Sequence, residues 1–246
     1  MLRTANPALN EKSFARLIPN ESADVMTLQG TVNKTSFLIL LTMAAAMWSW
    51  GQFAETGTAS IWTLGAAIGG FVVALITMFK KEWSSVTAPL YALFEGVFLG
   101  ALSAMVNASY PGIAIQAVTL TFGTLAGLLL AYKSGAIKVT ENFKLGIVAA
   151  TGGIAIFYLI AMVIGFFGIH MPLINSNGPM GIVFSLVVVV IAALNLVLDF
   201  DFIENACRNN APKYMEWFAG FGLLVTLVWL YVEILRLLIK LQSRRD

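Results

Sequence analysis

Apolar runs of about twenty residues recur along this chain, divided by short polar breaks, and no other feature constrains its fold as tightly. They lie at roughly 36–52, 58–79, 86–107, 113–132, 145–169, 180–199 and 215–239. A run of about 18 or more apolar residues is long enough to cross a hydrocarbon core as a helix. In lipid each backbone amide must find its partner within its own segment or in a closed barrel. The runs lack the period-two alternation of barrel strands, so helices are the reading. Composition agrees: 59% of the 246 residues are hydrophobic and 11% are charged, against about 25% charged in soluble domains. The expectation is an all-α integral membrane protein, a bundle of seven transmembrane helices over residues 36–246, with a polar tail at 1–35. It is a multi-pass protein whose first partner is the lipid bilayer.

The same composition removes several function classes. Net charge is +2 with no basic cluster, so no nucleic-acid partner is expected. Cys207 and His170 are the only cysteine and histidine, which leaves neither an internal disulfide nor a zinc or histidine-built centre. No Gly-rich phosphate loop follows a strand, and no HExxH occurs. An intramembrane aspartyl protease needs two carboxylates from different helices. Asp199 with Glu95 or Glu233 could imitate such a pair, but the local sequences match no such protease. The chain is read as a non-enzyme without a cofactor. Its first apolar run starts near Ser36, too late for a cleaved secretory signal.

Lysine and arginine alternate across the breaks. Arg3, Lys12, Arg16 and Lys34 precede the first run, Lys80 and Lys81 follow the second, and Lys133, Lys138 and Lys144 flank the fourth. Arg208 and Lys213 follow the sixth, while the breaks after the first, third and fifth have none. This pattern puts the N-terminus in the cytoplasm. Lys240, Arg244 and Arg245 conflict with it, because seven crossings leave that basic tail outside. A re-entrant segment is the alternative, and the length of 215–239 favours a full crossing. Gly96, Gly100 and Ala104, and more weakly Gly65, Gly69 and Val73, form small-residue rows suited to close helix approach, within the chain or between copies.

Ionisable groups at membrane depth are costly and each needs a reason. Glu95 lies near the middle of the third run, and Asp199 and Asp201 end the sixth. Glu233 lies inside the seventh with Arg236 a turn on. Asn195 and Asp199 share a helical face, as do Thr226 and Glu233. Asp201 points elsewhere than Asp199 and, with Glu204, reads as a solvated edge charge. These groups suit a polar cavity for cation or proton passage, with Asn195, Thr226 and Arg236 in support. Glu233 with Arg236 also reads as a plain structural pair, and Glu95 as a protonated packing residue.

The stretch Ala88–Ser103 (APLYALFEGVFLGALS) and the stretch Asn195–Leu238, with its LDFDFIE…APKYMEW…WLYVEILRLL pattern, resemble the bacterial branch of the transmembrane Bax inhibitor motif family. The resemblance runs from about residue 36 to the end. It implies a seven-helix bundle with the last helix central, in the bacterial inner membrane, and a pH-sensitive calcium leak. In such channels two aspartates on the last two helices share a proton and hold the pore shut. Two carboxylates in contact cannot both ionise cheaply, and calcium takes oxygen ligands. The first family aspartate falls on Asp199, the candidate calcium ligand, and the second falls on Thr226. The family's basic latch on the second helix has only Lys80 and Lys81, at the membrane edge, as counterparts.

Three functions follow as expectations. The first is a leak channel for calcium or other cations, gated by protonation around Asp199, with Glu233, Glu95 and Asp201 as further carboxylates. In that reading calcium is the permeant ion. The second is a non-conducting regulator that binds a membrane protease or another membrane complex, as relatives linked to membrane-protein quality control suggest. The third is a proton-coupled small-solute transporter with Glu95 as proton carrier.

Overall fold

The computed structural model describes residues 25–56, 61–168, 176 and 178–244. The tail at 1–24, His170 and Arg245 lie outside the described residues. Among those described, seven helices are long and apolar enough to cross a membrane. They are α1 (Leu28–Thr56), α2 (Ile61–Phe79), α3 (Ser84–Ser109), α4 (Ile113–Lys133), α5 (Glu141–Phe166), α6 (Pro179–Arg208) and α7 (Met215–Gln242), with a 3-10 turn at Lys81–Trp83.

Two boundaries differ from the hydropathy reading. The first helix begins at Leu28, eight residues before the apolar run that starts near Ser36. Its added turns are polar, but Thr31 and Thr35 are buried and Lys34 pairs with Glu216. The sixth helix does not end at Asp199 and Asp201 but continues to Arg208. Contacts one turn apart carry it: Asn205 Nδ2 donates to Asp201 Oδ2 at 3.0 Å, and Arg208 pairs with Glu204 at 2.5 Å. Asp201 and Glu204 are therefore half-buried helical residues, not loop-edge charges.

The burial pattern is inverted relative to a water-soluble protein. Large apolar side chains lie exposed along the helices, Phe166 at 83% and Phe71, Ile115 and Leu130 among them. Asp199 and Glu216 are at 0%. Lipid can solvate the former and not the latter. Several buried hydroxyls are satisfied within their own helices: Thr42 donates to the Leu38 carbonyl at 3.0 Å, Thr77 to Val73 at 2.8 Å and Thr121 to Ala117 at 2.8 Å. Such back-bonding keeps a polar group paired without help from a neighbour.

The chain divides into two compact units. One contains α1 to α3, the last turns of α6 and the first turns of α7. Here α3 packs on both α1 and α2. The row Gly96, Gly100, Ala104 faces α1: a Cβ on Gly96 would sit 2.7 Å from that of Ala45, and one on Gly100 would sit 2.7 Å from the Ala46 Cα. The row therefore serves packing within the chain, and Ser49 Oγ crosses the same seam to the Val97 carbonyl at 2.7 Å. In the weaker row, Gly69 admits the Phe94 ring, 3.1 Å from where a Cβ would stand.

The other unit contains α4, α5, α6 as far as Phe200, and α7 from Thr226. Aromatic contacts knit it, with Phe157 and Phe184 at 5.2 Å and Tyr132 and Phe200 at 5.9 Å. Thr140 caps α5 by accepting from the Phe143 amide at 3.2 Å, a usual role for threonine.

Candidate functional site

The polar residues of the second unit lie on α5, α6 and α7. Asp199 is fully buried on α6, one turn beyond the buried Asn195. Asn195 Nδ2 donates to Thr151 Oγ1 on α5 at 2.8 Å and to the Ile191 carbonyl at 2.8 Å. The amide is thus anchored, and the α6 face it shares with Asp199 is held against α5.

On α7, Glu233 is 2% exposed. The Tyr158 hydroxyl, from α5, donates to its two oxygens at 3.0 and 3.2 Å. Arg236 Nη1 donates to the same oxygens at 3.0 and 3.1 Å and to the Tyr158 hydroxyl at 2.7 Å. The guanidinium also lies over the Tyr158 ring at 5.2 Å. The result is a closed triad in which the acid accepts from both neighbours. A turn further on, Lys240 is buried and donates to the Gly181 carbonyl at 3.0 Å and to Ser185 Oγ at 2.8 Å, both on α6.

Those two bonds set the register of the α6–α7 hairpin. Lys240 stands level with residues 181–185 on the opposite helix. At 1.5 Å per residue, Thr226 comes level with about residues 195–199 and Glu233 with about 188–192. Thr226 is buried and stands at the level of Asp199. Glu233, seven residues further along α7, lies roughly 10 Å from that level along the axis.

The remaining candidates belong to the first unit. Glu95 is half-buried, hydrogen-bonded to Tyr91 one turn before it, with its carboxylate near Gly70 of α2. Asp201 turns to Asn205. Lys81 lies over the Phe218 ring at 5.4 Å. Nearby, Ser84 Oγ donates to the Tyr214 carbonyl at 3.0 Å. Burial, and then the charge of Glu82, push the Tyr214 phenol above its ordinary range. Among the described residues no group of three or more His, Cys, Asp or Glu side chains could hold a metal ion.

Three participants were invisible to sequence reasoning. Tyr158 and Thr151 come from α5, and neither has a local partner that marks it. Glu216 lies in the first turn of α7, fully buried, with four donors around it. Its one sequence signal is an acid flanked by Lys213 at the head of an apolar run.

Seven membrane-length helices that expose apolar side chains and bury carboxylates define a multi-pass membrane protein. The chain belongs to the Bax inhibitor 1 like family, whose model matches residues 6–243, nearly its whole length. No curated protein and no solved structure matches it.

Proposed function

We propose that the protein is a leak pathway for calcium or other cations, with Asp199 as the carboxylate whose protonation gates it. The observation that carries this reading is the position of Asp199, at 0% exposure inside a membrane-length helix. Its face also bears Asn195, and the buried Thr226 of α7 stands at the same level. A carboxyl there changes the local field by a full charge when it titrates, and closed and open arrangements weigh that charge differently. In this reading the last helix is central, which its burial supports: Phe218, Phe221, Leu224, Leu227, Leu230 and Ile234 are all buried. The N-terminus faces the cytoplasm of a bacterial inner membrane. The test is calcium flux from liposomes across a pH series, with wild type, Asp199→Asn and Glu233→Gln. Flux that depends on pH, with the dependence lost in Asp199→Asn and kept in Glu233→Gln, is expected. Flux indifferent to pH and to Asp199→Asn overturns the reading.

One observation favours the second reading, a non-conducting regulator that binds a membrane protease or another membrane complex. The group level with Asp199 is the hydroxyl of Thr226 rather than a second carboxylate, and Glu233 is already held by Tyr158 and Arg236. A partner that co-purifies in native extracts and is lost on deleting the polar tail at 1–35 supports the regulator. Extraction with no partner counts against it.

A further inference from the structure

The fully buried carboxylate of Glu216 has no part in the proposed gate, yet more donors converge on it than on any other acid described above. Its Oε1 accepts from the Thr27 amide and the Thr27 hydroxyl, each at 2.9 Å. Lys34 pairs with Oε2, and Lys213 Nζ lies 3.3 Å from Oε1. These donors come from the residue before α1, from α1 itself and from the turn at 209–214. An ionised carboxylate offers about four acceptor sites, so the group is saturated, as a buried charge requires.

The contacts around it join the same two pieces of chain. The Met26 amide donates to the Ala211 carbonyl at 2.7 Å, and Val25 and Pro212 form an isolated antiparallel bridge. Lys34 lies over the Trp217 ring at 5.6 Å, and Phe37 meets that ring edge-on at 6.0 Å. Thr27 also caps α1, its hydroxyl oxygen accepting from the Gly30 amide at 3.0 Å. Gly30 is a glycine for a steric reason, since a Cβ there would overlap the Glu216 carboxylate. Sequence, cap and ion pairs are all fitted to one acid.

The geometry points to a conformational clasp latched by Glu216: while the carboxylate is engaged, Val25–Lys34 is docked on the α6–α7 turn, and when it disengages, that stretch is released from the turn while Phe37 of α1 stays against Trp217 of α7. The clasp gathers its polar fastening at one carboxylate and one short bridge, so the stretch detaches as a piece while α1 to α3 stay packed through the glycine seam. It stands independently of conduction, because Glu216 is not a gating residue in the reading above.

The test is disulfide trapping in native membranes, using Val25→Cys with Pro212→Cys in a Cys207→Ser background. Residues facing across an antiparallel bridge lie about 4.5–5.5 Å apart at Cα, within disulfide reach. Rapid cross-linking is expected with Glu216 intact, at least fivefold slower cross-linking with Glu216→Gln or Gly30→Ala, and two- to threefold slower with Thr27→Val or Lys34→Met. Amide exchange at Met26 should rise at least tenfold in Glu216→Gln while exchange in α3 stays at the parental rate. Parental cross-linking in Thr27→Val and Lys34→Met overturns the clasp, even where Glu216→Gln fails to accumulate. So does an equal rise of exchange in α3, which would mean general loosening.

Discussion

Glu216 and Glu233 sit on one helix, are nearly equally buried, and are stabilised by opposite strategies. Glu233 takes its cation locally, from Arg236 three residues on, and adds one hydroxyl from α5. Glu216 takes Lys213 from three residues back, but its remaining donors lie more than 180 residues away in sequence. The first arrangement is assembled largely when the helix forms. The second exists only when the two ends of the chain have met. A buried charge that depends on one cation is vulnerable to its loss, whereas one with several donors degrades by steps.

That contrast predicts an order of effects. Arg236→Met should cost the most, about 3 kcal/mol, because it strands a buried carboxylate with only Tyr158 beside it. Adding Glu233→Gln should recover most of the loss. Unfolding midpoints in detergent measure both, and an Arg236→Met protein as stable as wild type breaks the comparison. Lys34→Met should cost less, about 1.5–2 kcal/mol, since Lys213 and both Thr27 bonds remain on Glu216. A Lys34 loss larger than the Arg236 loss would reverse the proposed logic. Tyr158→Phe removes a hydroxyl but leaves the ion pair, so about 1 kcal/mol is expected by the same measurement. Lys213→Met should lie within about 0.5 kcal/mol of wild type, because that side chain is 43% exposed and its charge is screened by solvent.

The spans were legible in the sequence because lipid accepts apolar side chains on any face, so hydropathy alone finds them. Where the structure departs from that reading, polar residues continue a helix. LQGTVNKT at the head of α1 is helical because Thr27 caps it and Thr31, Lys34 and Thr35 have buried surroundings, supplied by residues far along the chain. The end of α6 is helical because charged and amide side chains one turn apart support one another, which a hydropathy window scores as a break. Asp199 with Asn195 could be found from spacing on one helix. Tyr158, Thr151 and Glu216 could not, since their roles are defined by partners 44 to 189 residues away.

The Lys240 ammonium, buried against Gly181 and Ser185, has a consequence for how the protein is made. The last helix carries Glu216, Glu233, Arg236 and Lys240, a heavy load for a segment leaving the insertion machinery alone. Most of their partners, Thr27, Lys34, Tyr158, Gly181 and Ser185, precede it in the order of synthesis. By the time this helix emerges, the earlier six can already be waiting in the bilayer. Its charged side chains are thus inserted toward partners that already exist, rather than into lipid alone.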